Sequence, residues 1–111
     1  MKDLIKGVAK EKFEEFYDNE IYSSTHHLFG IDEFYQLPLK MQWGVIEDWA
    51  ESEGYELDIF KKISSIKNTY EIVIRNENDA DLWLEITKIK SRNEARTKCI
   101  KELVRLINES K

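Results

Sequence analysis

The sequence contains few of the residues that disulfide scaffolds, phosphate-binding loops and metal centres require. Its 111 residues include one cysteine, one proline, two histidines and four glycines. A single cysteine cannot close an internal disulfide, and the four glycines are too scattered to form a glycine-rich phosphate loop. No uninterrupted apolar run approaches the roughly 18–20 residues that a membrane-spanning helix needs. These absences exclude a disulfide scaffold and a P-loop, and we expect no membrane partner.

The remaining composition is that of a globular domain. Hydrophobic residues make up 41% of the chain and charged residues 35%, and a chain of this length builds one core. We therefore predict a single domain over residues 1–111, in which an N-terminal helix and packed loop (1–37) are added to a core (38–111). The unpaired Cys99 suits a reducing compartment, and residues 1–6 lack the apolar segment of a secretory signal. Both features predict a cytoplasmic protein.

Charge is distributed unevenly along the chain. Residues 1–60 carry 5 Lys/Arg against 14 Asp/Glu, a balance of −9, whereas residues 88–111 carry 8 against 3, a balance of +5. A basic C-terminal segment on an acidic body permits a localised anion-binding face. The same pattern arises where a basic helix neutralises an acidic neighbour. The sequence favours this second interpretation, because solvated charged faces are common.

Hydrophobic spacing predicts three helices. Apolar residues recur every three or four positions over residues 3–18, as in an amphipathic helix. Residues 19–37 show no period and are predicted to form a loop packed onto the domain. Pro38 is suited to open a second helix, and Gly54 is suited to end it in the left-handed conformation. The third helix is predicted over residues 91–109.

Three runs between the last two helices alternate apolar and polar residues, as half-buried strands do. They cover residues 55–60, 70–75 and 82–87, and short polar connections separate them. Such runs predict an antiparallel meander. The expected fold class is α+β, in the order α-α-β-β-β-α, with helices packed on a three-stranded antiparallel sheet.

The start of the last helix is the most informative segment. Ser91, followed three residues later by Glu94, predicts a capping box in which the serine oxygen accepts a free backbone N–H of the first turn. Arg92 and Arg96 lie one turn apart and are expected to project from this helix start toward solvent. With two further basic residues they form the candidate anion- or nucleic-acid-binding set, which is Arg92, Arg96, Lys98 and Arg105.

The sheet face turned away from the helices is a second candidate surface. Strand alternation places Phe60, Val73 and Trp83 on this face as a candidate interaction surface. An apolar patch of this kind is seldom left bare on a monomer. Either the N-terminal helix or a second protein molecule covers it. We expect the N-terminal helix, because that helix must bury its own apolar stripe.

No residue pattern indicates catalysis, a metal or a cofactor. His26 and His27 are adjacent, and no further histidine or second cysteine completes a zinc site with them. Cys99 falls on the apolar stripe of the last helix, where a thiol is buried and unreactive. Glu47 and Glu51 lie one helical turn apart on an exposed face, without the desolvation that acid–base catalysis requires. We expect no enzyme activity, no metal and no cofactor.

Residues 38–108 resemble a double-stranded RNA-binding domain. The order of helix, three-strand meander and final helix is that of this family. The final helix also opens with a Ser-basic-x-x-Ala-basic signature, carried here by Ser91, Arg92, Ala95 and Arg96. The resemblance implies that these positions contact phosphates across a groove.

Two departures from the family pattern reduce the duplex affinity that the resemblance implies. The turn at residues 64–68 lacks the proline and histidine of the family's minor-groove loop, and the helix that starts at Pro38 presents glutamates such as Glu47 and Glu51. Shape recognition of RNA requires two minor grooves and the intervening phosphates together. We therefore expect any duplex binding to be weak and strongly salt-dependent.

The chain is also similar to small acidic proteins of phages and prophages. The similarity lies in a Pro-x-x-x-Gln-Trp-Gly-Val segment at 38–45 and a Glu-Ala-Arg segment at 94–96. It implies an accessory protein, in the host cytoplasm if the chain is phage-encoded. We predict a non-enzymatic protein–protein interaction module whose partner is an unidentified protein or a second copy of the chain. The alternative is weak binding of double-stranded RNA or DNA through the start of the last helix.

Overall fold

A computed structural model describes residues 4–22, 30–64 and 66–109 of the chain, without the side chains of Ala80 and Leu82. The three strands form one antiparallel sheet in the order β1-β2-β3. The predicted α+β class, the order of its elements and the three-stranded sheet are confirmed. The elements are α1 (Gly7–Phe16), a π-helical turn (Tyr17–Tyr22), α2 (Ile31–Gln36), α3 (Leu39–Ser52), β1 (Tyr55–Lys62), β2 (Thr69–Asn76), β3 (Asp79–Ile89) and α4 (Arg92–Glu109).

The helices pack against one face of the sheet, which we call the inner face, and form a single core with it. Helix α4 contacts all three strands, and α3 contacts β1. Ile72 and Ile74 of the central strand are buried in this core, as are Tyr55 and Leu57 of β1. Burial of each large aliphatic side chain stabilises the fold by about 1.5–3 kcal/mol relative to exposure. Helix α4 contributes Ala95, Cys99, Ile100, Leu103, Val104 and Ile107.

Helix α1 belongs to the helical layer. It packs against α4, and the ring of Phe13 meets the ring of Trp49 edge-on, with centroids 5.0 Å apart. Tyr17 and Phe34 continue this aromatic cluster with centroids 5.0 Å apart. The expectation that the N-terminal helix covers the opposite, outer face of the sheet is therefore wrong. Its apolar stripe is buried against aromatic side chains of the helices instead.

The start of α1 is fixed by a residue near the other end of the chain. Asn108 accepts a hydrogen bond from the backbone N–H of Ala9 through Oδ1 (2.9 Å). It also donates one from Nδ2 to the carbonyl of Lys6 (3.0 Å). Gly7 adopts a φ of +67° at this point, a conformation that glycine takes without strain. Helix α1 consequently begins at Gly7 and not at residue 3.

The segment predicted as a loop over residues 19–37 is partly helical. The π-helical turn continues α1 to Tyr22, and α2 follows at Ile31–Gln36. The six residues of α2 are too few to show a period, and tertiary contacts hold them: Phe34 is buried, and its carbonyl accepts a hydrogen bond from Nε2 of the buried Gln42 (2.8 Å). Residues 23–29, between these two helical segments, lie outside the described part of the chain.

The ends of the later elements follow the sequence signals closely. Pro38 is the N-cap of α3, and Gly54 has a φ of +87°, as predicted for a residue that ends this helix. The backbone N–H of Glu94 donates to Oγ of Ser91 (3.1 Å), which confirms the serine half of the capping box. A shift in the β2–β3 register lies beside Lys88, whose φ is +62°. This bulge returns Ile89 to the inner face, where it is buried.

Candidate interaction surface

The two arginines at the start of α4 face the sheet and α3. The guanidinium of Arg92 lies 5.3 Å from the ring centroid of Tyr70, although the residue is exposed. Arg96 is half-buried, and its Nε is buried without a hydrogen-bond partner among the described residues. These two positions share a helical stripe with Cys99 and Leu103, which are buried. The expectation that Arg96 projects freely into solvent is therefore wrong.

The other two residues of the candidate anion-binding set lie elsewhere on α4. Lys98 is exposed, and Arg105 is about 20 Å along the axis from Arg92, at 1.5 Å per residue. Arg105 donates from Nε to Glu102 (2.8 Å) and from Nη1 to Glu109 (2.9 Å). The hydrogen bond to Glu102 is the main reason why the pKa of Arg105 is raised. The structure thus does not bring the four predicted residues into one patch.

A different group of basic residues meets at the end of the sheet where β1 and β3 finish, which we call the basic end. Its members are Lys61, Lys62, Lys67, Lys88, Lys90 and Arg92. A cleft of about 580 Å³ opens there. Lys62, Lys67 and Lys88 line it, together with residues of the β1–β2 connection.

The β1–β2 connection also carries two isoleucines whose side chains are exposed to solvent. Ile63 is 80% exposed and Ile66 is 94% exposed. Hairpin connections are ordinarily polar, so two isoleucines framed by Lys62 and Lys67 are a signal that the sequence already contained. The prediction of a plain turn at residues 64–68 overlooked them. A hydrogen bond lies within this connection: the backbone N–H of Lys67 donates to Oγ of Ser64 (3.0 Å).

The outer face of the sheet combines exposed aromatic residues with an ion-pair network. Phe60 is 44% exposed and Trp83 is 55% exposed. Arg75 projects from the central strand β2. Its Nη1 lies 2.6 Å from Asp58 Oδ2 and 3.5 Å from Glu56 Oε1. Its guanidinium also stacks 4.9 Å from the ring centroid of Trp83. This face is therefore uncovered by the described residues, and it offers aromatic area inside a charged frame.

Val73 differs from the other two predicted members of this surface. It lies on the outer face, but only 4% of it is exposed. The residue occupies the central strand opposite Asp58 on one side and Glu85 on the other. Val73 therefore offers little surface that a partner could contact.

The opposite end of the sheet, which we call the acidic end, has a cleft of about 290 Å³. Glu47, Glu51, Glu56 and Glu77 line it, with Tyr55 and Leu57 beneath them. Partial burial raises the pKa of Glu47. The negative charges of Asp48 and Asp58 add to this effect, and the charge of Arg96 opposes it.

Reactive groups lie outside these surfaces. Cys99 is a free, buried thiol, and burial raises its pKa to about 12. Within the described ranges, no group of three or more His, Cys, Asp and Glu side chains is arranged to hold a metal ion. His26 and His27 lie outside the described residues.

Comparisons with known proteins found no relative of this chain. None of the helices that the structure describes combines the length and the apolar character needed to cross a membrane. No protein-family model, no curated protein and no solved structure matches the chain. The resemblances to double-stranded RNA-binding domains and to phage proteins therefore stay predictions from the sequence.

Proposed function

We propose that the chain is a non-enzymatic accessory protein of phage type that acts in the cytoplasm as a protein–protein interaction module. The observation that carries the proposal is the exposure of four large hydrophobic side chains, which are distributed over the outer face and its hairpin connection: Phe60, Ile63, Ile66 and Trp83. Protein interfaces combine central apolar and aromatic residues with a polar rim. Arg75 beside Trp83 and the lysines of the basic end supply polar groups next to these side chains.

We propose no catalytic role, because neither Cys99 nor Glu47, two groups whose pKa values are raised, lies in a setting suited to catalysis. A nucleophilic thiol needs a lowered pKa and access to substrate, and Cys99 has a raised pKa and is buried. Glu47 has a raised pKa but an exposed side chain, and its cleft is lined by further glutamates and Tyr55. This lining supplies neither a nucleophile nor an oxyanion-stabilising cation for the carboxylate to assist.

Site-specific photo-crosslinking in the cells that make the protein tests the proposal. A benzophenone amino acid replaces Ile66 or Trp83, both of which are mostly exposed, so the fold tolerates the change. The matched control carries the same amino acid at Met41, which is exposed on α3 away from the sheet. We expect discrete protein adducts from positions 66 and 83 and none from position 41. Equal labelling from all three positions, or no protein adduct from 66 and 83, contradicts the proposal.

Binding of a nucleic-acid duplex is the second candidate, because one specific observation favours it. The hairpin connection with Lys67 and the start of α4 with Arg92 lie at the same end of the sheet. Phosphate contacts from such an end make affinity fall steeply with salt. A mobility-shift titration with double-stranded RNA and DNA at about 50 and 200 mM salt tests it. Retardation that is lost in Arg92→Glu/Arg96→Glu and in Lys67→Gln/Lys88→Gln supports this candidate, and no retardation at either salt concentration ends it.

A further inference from the structure

Charge is segregated along the sheet from one end to the other. The eight residues of β1 separate the acidic end from the basic end by about 23 Å, at 3.3 Å per residue. The acidic end holds Glu51 and Glu53 at the end of α3, Glu56 at the start of β1, and Glu77, Asp79 and Asp81 around the β2–β3 turn. The basic end holds the lysines and Arg92 already described. One molecule therefore carries two complementary surfaces that it cannot bring together itself.

Part of the charge at each end has no partner within the molecule. Among the described residues, Lys67 and Lys88 form no ion pair, and neither do Glu51 and Glu77. Lys62 and Glu56 are paired, with Glu71 and Arg75 respectively. A partner of opposite charge can pair with these side chains without breaking an ion pair that the described residues form.

The shapes of the two ends also correspond. The basic end projects the exposed side chains of Ile63 and Ile66 from a two-strand hairpin. The acidic end is a cleft whose base is formed by Tyr55 and Leu57 and whose sides are glutamates. Because Tyr55 and Leu57 are themselves buried, the two ends match chiefly in charge: a cationic hairpin tip meets an anionic cleft, and the exposed isoleucines lose contact with water on docking.

We propose that the chain assembles head to tail, with the β1–β2 connection of one copy docked in the acidic cleft of a second copy. The proposal rests on the interaction function above and names its partner. Because the two surfaces lie at opposite ends of the same sheet, the contact is heterologous, and each added copy leaves one free cleft and one free hairpin. Association therefore continues beyond a dimer as protein concentration rises.

Sedimentation velocity over a concentration series tests the assembly, with the full chain at about 50 and 500 mM NaCl. We expect concentration-dependent species larger than a dimer at low salt, and at least tenfold weaker association at high salt. Lys67→Gln/Lys88→Gln and Glu51→Gln/Glu77→Gln each abolish the assembly. The controls Lys40→Gln/Lys101→Gln and Glu11→Gln/Glu20→Gln make the same changes in net charge on exposed helical positions, and they retain it.

Mixing the two docking variants distinguishes this geometry from a symmetric dimer. In the mixture, one variant has an intact hairpin and the other an intact cleft, so a head-to-tail contact forms once and then stops. We expect a 1:1 dimer and nothing larger. An isologous contact needs the same intact patch on both copies, and neither variant then supplies it, so such a mixture stays monomeric. A monomeric mixture therefore overturns the proposal.

Ile66→Ser isolates the apolar part of the contact. Because Ile66 is almost fully exposed, the variant keeps the thermal unfolding midpoint of the wild type, and we expect several-fold weaker association. A wild type that stays monomeric at low salt overturns head-to-tail assembly. The interaction function survives that result if position 66 still crosslinks to a different protein. Retardation of a nucleic-acid duplex by a monomeric wild type assigns the basic end to nucleic acid and also overturns the proposal.

Discussion

The two faces of the sheet are built from alternate residues of the same strands and hold opposite kinds of interaction. On the central strand, Ile72 and Ile74 enter a dry core, while Val73 and Arg75 face outward. Salt bridges of the outer face join Arg75 to Asp58 and Lys62 to Glu71. Burial of apolar side chains on the inner face stabilises the fold. The outer face can therefore keep aromatic residues exposed to solvent without a loss of core packing.

The two faces are expected to differ most in how far a substitution on each lowers the free energy of unfolding. Ile72→Ala on the inner face creates a cavity in a packed core and lowers the free energy of unfolding by about 2–5 kcal/mol. Trp83→Ala on the outer face removes an exposed ring and one cation–π contact, which costs about 1 kcal/mol or less. Urea denaturation followed by tryptophan fluorescence and circular dichroism measures both. Equal losses for the two variants would show that the outer face is covered in solution.

Asn108 is expected to contribute measurably to the attachment of α1 to the helical layer. Asn108→Ala removes both hydrogen bonds that tie the start of α1 to α4, and we expect a loss of about 1–2 kcal/mol. Asn108→Asp keeps the acceptor for the Ala9 N–H and loses the donor to Lys6, so its loss is intermediate. Ser91→Ala is the matched control, because it removes one exposed cap bond and costs about 0.5–1 kcal/mol. A smaller loss for Asn108→Ala than for Ser91→Ala contradicts the tether.

A smaller effect is expected for the ion pairs of the outer face. Arg75→Met removes the pairs with Asp58 and Glu56, which are partly exposed. Such pairs contribute about 0.2–1 kcal/mol and are screened by salt. The difference from the wild type should shrink between about 0.1 and 1 M NaCl, because the Debye length falls to a few ångströms. The loss in Ile72→Ala should be unchanged over the same range, and a salt-independent Arg75→Met difference would argue against electrostatic stabilisation of this face.

The smallest effect concerns Glu47 at the acidic cleft. Its pKa is raised above the ordinary value of 4.5, mainly by desolvation, so the fold favours the protonated form. That stability is present below the ordinary pKa and is lost as the pH rises through the raised one. Glu47→Gln should therefore be more stable than the wild type at about pH 7, by less than about 0.5 kcal/mol, and nearly equal to it at about pH 4. The opposite sign at pH 7 would mean that the charge of Arg96 outweighs desolvation.

Local signals were sufficient for much of the fold. Strand alternation placed β1, β2 and β3 within a few residues of their observed ends, and Gly54 and Ser91 end and start helices where their chemistry predicts. Helix α2 was missed because six residues show no period and depend on the buried Gln42 for support. The start of α1 was misplaced because the residue that caps it is 99 positions away from Ala9.

The candidate sites were harder to predict than the elements. The spacing of Arg92 and Arg96 indicated a shared helix face, but the direction of that face depends on how α4 lies against Tyr70 and α3. Arg105 is neutralised by neighbours on its own helix, at i−3 and i+4, and this pairing could have been read from the sequence. The grouping of Lys62, Lys67 and Lys88 depends on strand register and on a bulge, neither of which composition reveals.

The sequence by itself determined the alternation of the strands, the ends of α3 and α4 and the burial of Cys99, because each depends on a few neighbouring residues and their period. Only the tertiary structure decided that α1 joins the helices, so that the described part of the chain leaves Phe60 and Trp83 of the outer face exposed. It also decided that acidic and basic side chains meet at opposite ends of one sheet. Both outcomes depend on contacts between residues far apart in the chain, whose free energy no local pattern contains.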